Sequence, residues 1–384
     1  MLHTPSNALG SVVPLYAAGN NSGGSPFGFF DRYGPKVIVG NSGAGDTIAV
    51  CNYLDVGDGV QLQAALTAAA AFNGDVHVRS GTYVISTPLD IPDNVTMHGA
   101  GAATVLAASA TNRTVIDSRE NCVIERLAIQ ASIPTGVPVG DALVQLGSNN
   151  QLRNCTVTLA SLTALQQATE TLRYAVRLQS TSGRLINVQI TIPYSRLIDA
   201  SGGTMTGVQM EGAYDCQLEH CLVRGGDVGY ELSGRVDAIG CQAVSIAQVG
   251  VLMQTSVLDG IYAPSWIGGL IDFATQNIYG VMADVSGAYV RTGGFVTGLF
   301  GARIIGTTFL APAGLDATAT GIELDEIGEG FVAQGNTFDK FPIGISGTAT
   351  QDYANVIGNI TRGATTSIAL LGVNCNSAEN VAVP

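Results

Sequence analysis

Residues 58–106 read DGVQLQAALTAAAAFNGDVHVRSGTYVISTPLDIPDNVTMHGAGAATVL, and the periodicity of this stretch decides the fold. Leu62, Ala65, Leu66 and Ala69 fall at i, i+3, i+4 and i+7, one apolar helical face. Asp58 is placed to cap that helix, with Gln61 three residues on completing a capping-box-like pair. After Asn73-Gly74 the period drops to two: Val76 and Val78 point one way, His77 and Arg79 the other. Ser80-Gly81 turns the chain, Tyr83 and Ile85 continue it, Pro88 to Pro92 bends it, and Val95 to Met97 forms a further strand before Gly99-Ala100-Gly101. One helix followed by short, tightly punctuated strands is the expectation.

This order resembles the N-terminal cap and first coils of pectin-lyase-like right-handed parallel β-helices, above all the branch of phage tailspikes and related polysaccharide-active proteins. The matching residues are Gly57-Asp58-Gly59, the Ala-rich run Gln61 to Ala71, the strand pair Val76 to Ile85, and the turn Ile91 to Gly101. The acidic insert usual after the first motif is missing here. The resemblance implies an all-β, right-handed parallel β-helix with an N-terminal capping α-helix. It also implies the side-by-side homotrimers of the tailspike branch, and it covers about fifty residues. It says nothing of the reaction.

A degenerate repeat carries the pattern onward. An apolar pair is followed by a corner residue and a short β-rich tripeptide, as in Leu152-Arg153-Asn154-Cys155-Thr156-Val157 and Leu218-Glu219-His220-Cys221-Leu222-Val223. Later instances place Gly at the corner, as in Ile304-Ile305-Gly306-Thr307-Thr308-Phe309. Asn and Gly suit a corner because both tolerate the left-handed backbone of a sharp turn. Successive instances lie about 20 to 38 residues apart. A solenoid permits that variation, since each coil buries its apolar face only against its neighbours and insertions map to outer loops. Roughly ten coils at about 4.8 Å each give a rod about 50 Å long. Residues 1–50, rich in Gly and Ser, form a candidate virion attachment or linker region. The expected boundaries are 51–372 for the β-helix and 373–384 for a tail or cap.

Composition agrees with strands and turns: 49 Gly in 384 residues, 46% apolar and 12% charged. The apolar share suffices for a long core and excludes a mainly disordered chain. A net charge of −13 without a basic stripe argues against nucleic acid as a partner. No apolar run reaches the roughly eighteen residues of a membrane span. The start lacks a basic segment and Pro14 interrupts its apolar middle, so no cleaved signal peptide is expected. A virion location is expected, with an extracellular one as the alternative. The seven Cys match no zinc or small-disulfide pattern and read as buried free thiols.

The candidate chemistry rests on carboxylates. Four His, at 3, 77, 98 and 220, are far apart in sequence, so no metal site and no cofactor are expected. The Asn-Thr-Asp, Gly-His-Gly and Arg-Ile-Lys motifs of polygalacturonases and the Arg-Pro-x-x-Arg stretch of pectate lyases are absent. The densest acidic region is 211–237. Its catalytic candidates are Glu211, Asp215, Asp227 and Glu231, with Tyr214 and Tyr230 as sugar-stacking candidates. Glu219 and Asp237 share the region. The same acids also fit a solvated outer face that keeps a rod soluble. Trp266 sits in an apolar segment and is expected in the core.

Three functions stay open on these residues. The first is a phage virion protein of tailspike or tail-fibre type that contacts host surface polysaccharide and docks on other virion proteins through its N-terminal region. The second is a polysaccharide hydrolase or lyase. The third is a non-catalytic capsid or tail decoration rod.

Overall fold

Strands of three to five residues cannot bury an apolar face alone, and here they stack into one long ladder per face. The computed structural model describes residues 30–31, 34–136, 139–179, 181–193, 204–254, 264–272, 276–280, 284–286, 289–291, 294–297, 303–311, 320–324, 331–347, 354–364, 366–370 and 375–383. Residues 1–29, the main part of the expected attachment segment, lie outside them.

The chain is a right-handed parallel β-helix with three faces. The first runs from Asp75–Val78 through Thr96–Gly99 and Val123–Glu125 to Asn376–Ala378. The second is a sheet of thirteen strands from Gly81–Ile85 to Val381–Val383. The third runs from Leu89–Ile91 through Ala142–Leu146 and Tyr174–Leu178 to Thr366–Leu370. The first and third merge into one sheet because Thr206–Glu219 and Val228–Ile239 cross the corner between them without a break. Thirteen coils, rather than ten, give a stack about 60 Å long. Parallel pairing also reaches outside 51–372. Gly34–Asn41 pairs with Asp75–Val78 at one end, and Val381–Val383 pairs with Ile360–Arg362 at the other.

The corner residues behave as the repeat predicts. Between the first and second faces, Asn154, Asn187, His220, Gly240, Gly306, Gly335 and Gly358 all have φ between 51° and 65°. A second left-handed corner, between the third and first faces, holds Asn94, Asn121, Asn149, Ser182 and Asp215. The residue after the first corner points inward. Cys155, Val188, Cys221 and Cys241 occupy that place in turn and are buried. Toward the C-terminal end it becomes Asn336, Asn359 and Asn380. There Asn336 Nδ2 donates to Asn359 Oδ1 at 2.9 Å and Asn359 Nδ2 to Asn380 Oδ1 at 3.0 Å. Each also donates to a backbone carbonyl one coil back. Buried amides are thereby paired along the axis.

All seven Cys are free thiols, and all except Cys375 are buried. Burial pushes the Cys122 and Cys155 thiols up to about 11 and about 12, which keeps them protonated and inert. Trp266 is in the core, edge-on to Tyr230 with ring centres 5.3 Å apart. No helix among the described residues is long and apolar enough to cross a membrane.

Helix α1, Val60–Ala70, covers the first coils with Leu62, Ala65, Leu66 and Ala69 buried, as the periodicity predicts. Its cap differs from the expectation. Asp58 accepts one bond, from Val60 N at 3.1 Å, and no capping box forms. The cap is Asp55, fully buried in the preceding strand. Its Oδ1 accepts from the amides of Gly57, Asp58 and Gly59 at 2.7, 2.9 and 3.1 Å. Its Oδ2 accepts from Gln61 and Leu62 at 3.0 and 3.1 Å. The chain can wrap around one carboxylate because Gly57 and Gly59 take φ of 94° and 77°. A carboxylate at a helix N-terminus is also favoured by the helix dipole.

Asp55→Ala strips a partner from five backbone N–H groups, so a loss of about 3–5 kcal/mol is expected, since each orphaned buried donor costs roughly 1–3 kcal/mol and the effects overlap. Denaturant unfolding measures it; a loss of a few tenths would contradict the role of Asp55 as the cap.

Candidate functional site

The third face repeats apolar–polar–apolar triplets: Val144-Gln145-Leu146, Val176-Arg177-Leu178, Val208-Gln209-Met210 and Tyr230-Glu231-Leu232. Strict alternation sends the outer members of each triplet inward and the middle one outward. The register aligns these middles, pairing Asp90 with Asp117, Asp117 with Gln145, Gln145 with Arg177, Arg177 with Gln209, and Gln209 with Glu231. Residues up to 32 apart in sequence thus become neighbours one strand spacing apart in a single outward column.

Arg177 organises its centre. Its guanidinium donates to Glu211 Oε2 at 2.8 Å and to Asp141 Oδ2 at 3.2 Å. It also lies over the Tyr174 ring, 5.1 Å from the ring centre. The bonds from Arg177, then that from Gln179, hold the Glu211 carboxyl below the usual carboxylate range. Glu231 is shifted the other way. Burial pushes its pKa up; a hydrogen bond from Gln209 opposes the shift, and the nearby Glu211 adds to it. Glu211 sits two residues beyond the partner of Glu231 on the adjacent strand. At about 3.3 Å per residue and about 4.8 Å between strands, their Cα atoms are about 8 Å apart. At the head of the column Asp117 is also raised, by burial and then by Asp90.

The sequence-predicted residues divide. Glu211 and Glu231 come together on the third face. Asp215 stands apart, at a left-handed corner with φ 55°, exposed and paired with Arg235 at 3.0 Å. Glu219 and Asp237 lie on the first face, paired with each other's coil through the Glu219–Ile239 and Gln217–Asp237 register. Two expectations are corrected. Asp227 is fully buried, with Oδ2 accepting from Met205 N at 2.8 Å, so it fixes a turn and cannot meet a sugar. Tyr230 is fully buried, and its hydroxyl donates toward the Cys221 and Gln242 carbonyls at 2.9 and 3.0 Å. As the apolar member of its triplet it faces the core and offers no stacking surface. The Tyr214 side chain lies outside the described residues. Arg177, Gln209, Gln145, Asp117 and Tyr174 were not singled out from the sequence. The signal that could have found them is the triplet alignment.

Two nearby carboxyls whose pKa values are pushed in opposite directions are the kind of pairing that acid–base chemistry on glycosidic bonds uses. The polar column with an aromatic edge equally suits hydroxyl-rich ligands. The fold is a right-handed parallel β-helix of the pectate lyase-like kind. The family model described as Rhamnogalacturonase A/epimerase, pectate lyase-like, matches residues 53–258, more than half of the chain, and the protein belongs to that family.

Among solved structures, the chain is similar to the mannuronan C-5 epimerase AlgE6 A-module of Azotobacter vinelandii, with TM-score 0.50 and 16% identity over 85% of this chain and 97% of that one. It is also similar to a tailspike protein mutant of E. coli bacteriophage HK620 in complex with a pentasaccharide, with TM-score 0.60 and 12% identity over 78% of this chain and 62% of that one. At such identities the likeness is one of fold. A search of curated proteins found no match.

The raised Glu231 pKa has a consequence for stability. A carboxyl that is harder to ionise when folded contributes stability at low pH. That contribution is lost as pH rises from the ordinary Glu range, about 4.3, through the raised value. Glu231→Gln removes the loss. Its melting temperature should match the wild type at low pH and exceed it increasingly toward neutrality. A difference independent of pH would contradict the burial of an ionisable Glu231.

Proposed function

We propose that this is a virion protein of tailspike type whose third-face column contacts a host surface polysaccharide. The carrying observation is the column itself: Tyr174, Arg177, Gln209, Glu211 and Glu231 brought side by side by the register, with the pKa values of the last two pushed in opposite directions. The pentasaccharide named with the HK620 tailspike supports a glycan for a rod of this shape. With a net charge of −13 and several carboxylates around one Arg, an uncharged glycan suits the column better than a polyanion. The N-terminal residues would dock on other virion proteins, and three chains would stand side by side.

A second reading, cleavage of that glycan, is favoured by the pKa split alone. Glu231, the harder of the two to ionise, would give its proton to the leaving oxygen, and Glu211, the easier, would act as the carboxylate on water or on the sugar.

Size exclusion with light scattering on the purified chain is expected to give about 118 kDa, three times 39.4 kDa. A monomer would argue against the tailspike reading. Binding of the host's surface polysaccharide should weaken at least tenfold in Arg177→Ala and persist in Asp215→Asn; equal affinity in both would remove the column from the proposal. If cleavage occurs, product release should fall by 10² or more in Glu231→Gln and Glu211→Gln and survive in Asp215→Asn. Binding without product release in the wild type leaves the glycan-contacting tailspike reading and sinks the enzymatic one.

A further inference from the structure

The first face brings together residues that sequence distance separates. His77 pairs with His98 in the next coil, and His98 pairs with Glu125 in the coil after that. Asp75 lies two residues before His77, so it shares the same outward side of the strand. The two imidazoles stack, with ring centres 4.7 Å apart and planes inclined by 24°. One potential ligand atom from each of Asp75, His77 and His98 lies within 4.8 Å of the others.

We infer that Asp75, His77 and His98 form a binding site for a divalent transition metal of the zinc class, with Glu125 as the positioning residue for His98.

Three observations carry the assignment. The first is donor chemistry: two imidazoles and one carboxylate are the borderline set that zinc-class ions take, in preference to the all-oxygen sets of calcium and magnesium. The second is the tautomer. His98 Nδ1 lies 2.9 Å from Glu125 Oε1. A carboxylate only accepts, so Nδ1 is the nitrogen that carries the proton toward Glu125, and Nε2 is the nitrogen turned toward Asp75 that would ligate an ion. The third is spacing. That Nε2 is 3.8 Å from Asp75 Oδ2, too far for a hydrogen bond and close to the separation of two ligands on one ion. Ligands held about 2.0–2.1 Å from a tetrahedral ion are about 3.4 Å apart, so side-chain torsions of Asp75 and the two imidazoles would draw the three ligand atoms in from within 4.8 Å of one another to close the set.

The site is shallow. The side chains of Asp75, His98 and Glu125 are 14%, 23% and 20% exposed, so solvent can reach the ion and fill its fourth position. Lys36 faces Asp75 and Arg153 faces Glu125 across the register. These cations flank the cluster and offset part of its negative charge. Asp75, His77, His98 and Glu125 belong to three successive coils beside helix α1, so an ion there would tie the capped end of the rod together. Ligands must be assembled by folding, which makes binding energy available to stability.

The test uses the full chain freed of metal by a chelator. Isothermal titration with Zn²⁺ should give one ion per chain and a raised melting temperature. Co²⁺ should bind with a visible spectrum of nitrogen and oxygen ligation and without thiolate charge transfer. His77→Ala and His98→Ala should each lose the stoichiometric binding, and Glu125→Gln should weaken it about 10–100-fold. Far-ultraviolet circular dichroism of the metal-free variants checks the fold; where a His variant does not fold, Asp75→Asn carries the test with an expected loss of at least tenfold. Absence of stoichiometric binding, thiolate charge transfer to Co²⁺, or unchanged affinity in the folded variants would each overturn the site.

Discussion

The rod depends on one backbone constraint: at its corners, residues in the left-handed region turn the chain from one face to the next. With that corner in place, the next residue points inward, the following tripeptide forms a strand, and the coil returns to stack on itself. An L-residue with a Cβ pays roughly 1–2 kcal/mol there, which is why Asn and Gly dominate the column and why a bulky residue must recover the cost elsewhere. Arg126, with φ 59°, occupies the same place. Its amide donates to the Arg153 carbonyl at 3.1 Å, and its carbonyl accepts from Gly101 at 2.8 Å, so stacking on both sides holds it. The corner also explains the tolerance for uneven spacing, because insertions elsewhere in the coil leave its geometry untouched.

A ladder of parallel strands has open edges, and the protein treats its two ends differently. At the N-terminal end one buried carboxylate, Asp55, gathers five amides and seats helix α1 over the first coils. The C-terminal coil ends with Val381 and Val383 exposed, an edge with no helix over it among the described residues. Between the ends, the Asn336–Asn359–Asn380 ladder replaces apolar contact with paired amides. It holds successive coils in register where the inward position carries polar side chains.

Stacking converts sequence intervals of one coil into neighbours about 4.8 Å apart, and both clusters on the surface arise that way. On the third face the conversion places Arg177 between Asp141 and Glu211 and pushes the pKa values of Glu211 and Glu231 in opposite directions. On the first face it joins two His that are 21 residues apart in the chain. The chemistry of each cluster belongs to the column, since no single coil contains it.

The sequence by itself determined the β-helix, the helical cap with its four buried positions, the corner residues, the core Trp266 and the buried thiols. These follow from local periodicity and backbone tolerance, which a linear chain displays. It also marked Glu211 and Glu231, because density of carboxylates is visible in one dimension. The inward facing of Tyr230 is legible in the alternation of its triplet, whose outer members both face the core. Only the tertiary structure decided that Asp55 and not Asp58 caps the helix, since the carboxylate reaches amides up to seven residues on through two left-handed glycines. Only stacking could reveal that Asp227 is buried, that Arg177 sits between acids from other coils, and that His77 meets His98. Inter-coil register depends on the length of every intervening turn, and no local pattern encodes that sum.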